Sequence, residues 1–174
     1  GFNDEALSHL LYLSKIFSND DGIFYNLGIV YEKIKKFDKA KDAYLKALDI
    51  NPDSTDAMYN LGLVYTELGE YERAIECFQV ILDYDKEDSN TYFNMGLAYF
   101  KQKKFIKAME KFQRTIDIND DDLYAHFYIG NIFKELGDLD GTDVNVNLKA
   151  NNEDDDDELP PTYVPQSTAP SNLG

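Results

Sequence analysis

Asn26, Asn60 and Asn94 stand 34 residues apart, each directly before a Leu-Gly or Met-Gly step. A carboxamide carries both an N–H donor and a carbonyl acceptor. A row of them can donate to one peptide carbonyl and accept from the next amide, reading backbone whatever the side chains are. An aromatic residue precedes each place (Tyr25, Tyr59, Phe93, and Phe127 at the fourth step), and Ile29, Leu63 and Leu97 follow at a constant offset. Apolar side chains flanking amides are what a groove for an extended or helical peptide requires. Magnitude says both are needed, because three amide contacts at about 0.5 to 1.5 kcal/mol each fall short of the roughly 8 kcal/mol of a micromolar complex.

Other residues capable of chemistry have no supporting pattern. His9 and His126 are far apart, with no Cys/His cluster at metal-ligand spacing, and read as structural side chains on helix faces. Cys77 follows Glu76 and precedes Phe78 without an activating neighbour in sequence, and reads as a small core residue. Asp138-x-Asp140-Gly141 resembles the opening of a calcium loop, but its glycine is fourth instead of sixth and Lys149 occupies the twelfth place, so an EF-hand is excluded. The glycines are singletons, which excludes a phosphate-cradling loop. No catalytic residue, cofactor or metal site is expected, and the chain reads as a non-enzyme.

The elements that must position the asparagines follow from the same period. Gly28, Gly62, Gly96 and Gly130 keep the 34-residue step, as do Tyr31, Tyr65, Tyr99 and Phe133; Ala40, Ala74 and Ala108; and Tyr44, Phe78 and Phe112. Phe24, Leu27 and Tyr31 fall on one helical face. Gly28 lies on that face and invites close approach by a second helix, with Ala40 as its expected partner; Gly62 with Ala74 and Gly96 with Ala108 repeat the pairing. Glycine inside a helix costs about 1 kcal/mol relative to alanine, so its periodic placement implies a packing reason. Pro52 ends one unit and Asp53 or Ser54 caps the next helix, while Gly69 and Gly137 mark turns between paired helices. The period predicts a leading second helix over about Asn3 to Phe17, three complete pairs, and a last first-helix over about Asp122 to Leu136 that caps the stack. The leading helix lacks its partner, so Leu7, Leu10, Leu11 and Leu13 are expected to leave apolar surface open to fraying or self-association.

Charge marks the boundary of this array. The formal charge is −16; residues 1–137 carry 24 acidic and 16 basic residues, and residues 138–174 carry 9 acidic and 1 basic. Four of five prolines lie in the second stretch, which reads as a disordered acidic tail. Negative charge on both parts argues against nucleic acid. The Lys33, Lys35, Lys36 and Lys101, Lys103, Lys104 groups read as solvated turns. One cysteine excludes an intrachain disulfide, and no apolar run is long enough for a membrane span. With no signal sequence at the start, the reading is a cytoplasmic, membrane-free protein. The chain opens at Gly1 instead of Met, which suggests a piece of something longer. In the tail, Pro160-Pro161-Thr162-Tyr163 fits the pattern that WW domains bind.

The residues resemble the tetratricopeptide repeat (TPR) family over about Gly1 to Gly137: Phe24 to Pro52; Met58 to Tyr65 with Gly69, Tyr71, Ala74 and Phe78; and Tyr92 to Tyr99 with Ala108 and Phe112. The pattern departs after Gly137, where Thr142 and Val146 take the small and large places and Asp138 to Ala150 loses the helical period. The resemblance implies an all-α, right-handed superhelical solenoid of antiparallel helix pairs whose job is to hold a protein or peptide. It places Asn26, Asn60 and Asn94 on the concave surface, similar to the asparagine ladder of O-linked N-acetylglucosamine transferases. An alternative is therefore the substrate-selecting arm of a larger enzyme such as a glycosyltransferase. Clamps for Hsp70 and Hsp90 tails need basic residues one turn before the ladder and in the third unit. Gly22, Asp56, Asn90 and Asn94 stand there instead, which excludes a terminal-carboxylate clamp.

Overall fold

The computed structural model describes residues 2–137, which form eight α-helices: α1 (Phe2–Ile16), α2 (Asp21–Lys33), α3 (Phe37–Ile50), α4 (Thr55–Glu67), α5 (Tyr71–Tyr84), α6 (Ser89–Lys101), α7 (Phe105–Ile118) and α8 (Leu123–Glu135). Residues 138–174, with the acidic run, the Pro-Pro-Thr-Tyr stretch and the tail boundary, lie outside the described residues. Among the described residues there is no strand, and no helix is long and apolar enough to cross a membrane.

Period-34 capping sets where the first helices begin. Asp20, Ser54, Asp88 and Asp122 are the N-caps of α2, α4, α6 and α8. Each side-chain oxygen accepts from a free first-turn amide, at 3.2 Å from Ile23 N, 3.3 Å from Ala57 N, 3.2 Å from Thr91 N and 2.8 Å from Ala125 N. The second helices α3, α5 and α7 have no such cap, and their entry is set by the turn before them. That turn places Lys35, Gly69, Lys103 and Gly137 in the left-handed region at φ 56°, 76°, 58° and 78°. Two units satisfy it with glycine, and two hold a lysine there against its preference.

Packing follows the expected helix pairing, and the atoms nearest each glycine slot are those of a ring. A Cβ on Gly28 would lie 2.3 Å from the Tyr44 ring, one on Gly62 2.6 Å from Phe78, and one on Gly96 2.7 Å from Phe112. The close approach is by a ring sixteen residues on, because an aromatic side chain lies flat only where the facing helix has no side chain. Ala40, Ala74 and Ala108 are fully buried. Gly130 has no described atom within 4 Å of its Cβ position, and it is exposed. The helix faces are closed outside by a second periodic contact: Lys39 over Tyr31, Arg73 over Tyr65 and Lys107 over Tyr99, each 5.7 Å from ring centroid to cation. In α1, Leu7 and Leu10 pack against the core of the first units and Leu13 is partly buried. Of the four leucines only Leu11 is exposed; Tyr12, Ile16 and Phe17 are exposed beside it.

Candidate peptide-binding face

The first helices of successive units approach one another directly. α4 touches α6, and side-chain hydrogen bonds join α2 to α4 and α4 to α6. Elements that meet their next-but-one neighbours lie on the shorter arc of a curved stack, so α2, α4 and α6 line its inner side. The joining bonds involve the sequence-predicted residues themselves. Asn60 Nδ2 donates to Tyr25 Oη at 3.3 Å, and Asn94 Nδ2 donates to Tyr59 Oη at 2.7 Å and to the Asn90 carbonyl at 3.0 Å. Asn26 bonds to no tyrosine of an earlier unit among the described residues, and its Nδ2 donates to the Gly22 carbonyl at 2.7 Å. Asn60 and Asn94 are therefore seam residues between units, whereas Asn26 bonds within its own helix.

The aromatic neighbours also have inward roles. Tyr25 lies against Tyr44 with centroids 5.9 Å apart, Tyr59 against Phe78 at 6.0 Å, and Phe93 against Phe112 at 5.5 Å. Each thus covers the ring that fills its unit's glycine slot. Accessibility divides the predicted site. Asn26 is exposed, and Tyr25, Tyr59, Asn60, Leu63 and Ile29 are partly exposed. Phe93, Asn94 and Leu97 are buried, at 2%, 3% and 4% exposure, and cannot be reached from solvent as the stack stands. Phe127 is exposed at 52%, beside exposed Leu123 and Tyr124 on α8. The accessible amides and apolar groups therefore come together on α2 and α4, with Phe127 apart from them.

Glu32 joins this cluster, and the sequence reading passed over it. Its carboxylate accepts from the Tyr44 hydroxyl, which also neighbours Asn60. Burial first, then the nearby Glu67, push the Glu32 carboxyl above the ordinary range, while the Tyr44 hydrogen bond works against them. Tyr25 is raised by burial and by the charges of Asp56 and Glu32. The signal that would have found Glu32 lies in comparing units. Tyr44 is the ring carrying a hydroxyl and faces a carboxylate twelve residues back, whereas Phe78 and Phe112 have Thr66 and Phe100 at that place. Cys77 is buried, and desolvation pushes its thiol up to about 11, the direction of an unreactive cysteine. His9 and His126 are both exposed.

Four repeat models match, each described as a tetratricopeptide or TPR repeat, over residues 23–54, 43–76, 62–103 and 89–122. With this helix pairing and period, the chain belongs to the tetratricopeptide repeat family, and it is a helical repeat solenoid of the protein-interaction scaffold type. Among solved structures it is similar to a crystal structure of MamA at 25% identity, covering 79% of this chain and 81% of that one with a TM-score of 0.75. It is also similar to MamA residues 41 to the end from Desulfovibrio magneticus RS-1, at 24% identity, 80% and 78% coverage and a TM-score of 0.75. No curated protein matches the chain.

Proposed function

We propose that this chain holds a segment of a partner protein against the inner side of α2 and α4. The observation that carries this reading is the convergence of the first helices there, with Asn26 and Asn60 accessible between the partly exposed apolar groups Ile29, Tyr59 and Leu63. Amides orient a peptide backbone, and apolar contacts supply most of the affinity. Burial of Phe93, Asn94 and Leu97 shortens the ladder from three usable amides to two, so the groove is a site of two units.

The test begins with affinity capture by the 174-residue chain, identification of the captured protein, and a peptide scan of that protein. Binding of the active peptide is then measured calorimetrically to Asn26→Ala, Leu63→Ser and the outer-surface control Val80→Ser, whose side chain is exposed. Asn26→Ala is preferred to a triple asparagine change because it disturbs no seam. Losses of about tenfold for Leu63→Ser and severalfold for Asn26→Ala, with Val80→Ser unchanged, support the groove. Loss confined to Val80→Ser would move the site to the outer helices and end this reading.

A further inference from the structure

We propose that the occupant of the inner face is a cationic segment, one that brings an Arg or Lys to Glu32 and N–H donors to the amide oxygens of Asn26 and Asn60. This rests on the groove reading above and adds the chemistry of the partner.

Amide orientation is the first argument. A backbone carbonyl can only accept, so the bonds from Asn26 to the Gly22 carbonyl and from Asn94 to the Asn90 carbonyl fix which end of each amide is nitrogen. Asn60 turns its nitrogen to the Tyr25 hydroxyl. In all three the nitrogen end is engaged within the fold, and no described group donates to the oxygen. The accessible amides of Asn26 and Asn60 are therefore left with acceptors unmet. They suit ligand groups that donate.

Charge is the second argument. Glu32 is partly buried and Asp56 and Glu67 act on the same cluster, yet among the described residues no Lys or Arg pairs with Glu32 or Asp56. The inner-side cation that does pair is Lys101, 3.7 Å from Glu67. Lys33, next to Glu32 in the chain, makes no ion pair. A carboxylate withdrawn from water without a cation is costly, and an incoming guanidinium or ammonium both neutralises it and donates hydrogen bonds. An acidic segment meets repulsion at the same place.

The test uses the 174-residue chain and four fluorescein-labelled probes of about twelve residues: Ala/Ser peptides carrying spaced Arg, Lys or Glu, and an uncharged one. Affinity is read by anisotropy at low and high salt. Glu32→Gln with Asp56→Asn removes the inner charge, and Asp42→Asn with Glu76→Gln removes the same charge from exposed positions on α3 and α5. Circular dichroism confirms that both variants are helical. Expected are binding of the Arg probe at least about tenfold tighter than the Glu probe, a loss of about fivefold or more for the inner pair, and less than about twofold for the outer pair. Equal losses for the two pairs mean unlocalised attraction and overturn the proposal, as does failure of both cationic probes to bind at millimolar concentration. If the uncharged or Glu probe binds best and Leu63→Ser abolishes it, the groove stands and its cationic preference falls. If cationic probes bind, Leu63→Ser is silent and the inner pair is silent, both readings fall together.

Discussion

The seam between the first two complete units and the seam between the third unit and α8 occupy the same place in the period and use opposite chemistry. At the first, Tyr25 and Asn60 share a hydrogen bond, and Tyr44 meets Glu32 beneath them. At the second, Phe93 and Tyr128 replace that Tyr and Asn, with ring centroids 5.9 Å apart; Tyr128 stacks on Phe112 at 5.2 Å, and Phe100 lies edge-on to Tyr128 at 5.3 Å. Both members of the pair change together. The polar seam holds an amide and a carboxylate. The aromatic seam is held by ring contacts. The two seams thus differ by four side chains on a common backbone: Tyr25, Glu32, Tyr44 and Asn60 against Phe93, Phe100, Phe112 and Tyr128.

The largest way to break the comparison is to empty the aromatic seam. Phe112→Ala removes a fully buried ring in contact with Gly96, Phe93 and Tyr128, and should cost about 3 to 5 kcal/mol in denaturant unfolding. Tyr44→Phe, at the equivalent place in the polar seam, keeps the ring over Gly28 and removes a hydroxyl, and should cost about 1 to 2 kcal/mol. If the two costs are equal, the seams do not divide as described.

Glycine substitution sharpens the same contrast and should change sign along the chain. Gly62→Ala places a methyl group 2.6 Å from the Phe78 ring and should destabilise by about 1 to 3 kcal/mol. Gly130→Ala meets no described atom within 4 Å in an exposed helix, and should stabilise by up to about 1 kcal/mol. A loss at Gly130 comparable to that at Gly62 would mean that a further element sits in its slot. Smaller again is the turn. Lys103→Gly relieves a lysine at φ 58° and should gain about 1 kcal/mol in thermal unfolding, whereas Gly69→Lys should lose a similar amount. No response at either position would remove the argument from backbone strain.

What the sequence made legible was whatever repeated. The period located the first and last helices to within a residue, and the glycine face was right because the same step recurs at Gly28, Gly62 and Gly96. The ring over that face was not read: Tyr44, Phe78 and Phe112 repeat as faithfully as Ala40, Ala74 and Ala108, and spacing alone does not say which of two periodic series lies nearest the glycine. The N-cap series Asp20, Ser54, Asp88 and Asp122 was read only beside Pro52, since three members look like ordinary loop acids. The ladder was legible as a row of amides. Its burial at Asn94 was not, because Asn94 has the same residue type and the same place in the period as Asn26 and Asn60. Glu32 was missed for the converse reason: it breaks the period, and a search for recurrence passes over the residue that differs.

The smallest effect isolates Glu32 and has a definite sign. Its folded carboxyl is raised above the ordinary value of 4.5, chiefly by burial, so the folded state binds its proton more tightly than the unfolded chain does. Such a group favours the folded state fully below about pH 4.5. That contribution is lost as pH climbs through the unfolded value toward the raised folded one, and stays lost above it. Glu32→Gln keeps an oxygen to accept from Tyr44 and carries no charge at any pH. Relative to the parent chain it should therefore unfold at a higher temperature at pH 7, with the difference shrinking as pH falls and gone by about pH 4. Comparing variant with parent at each pH cancels the other carboxylates, several of which titrate in the opposite direction, such as Glu70, lowered by its bond to Lys41. A variant less stable at pH 7 than its parent would show that the charged carboxylate is already compensated within the stack, and that the polar seam carries no unmet charge.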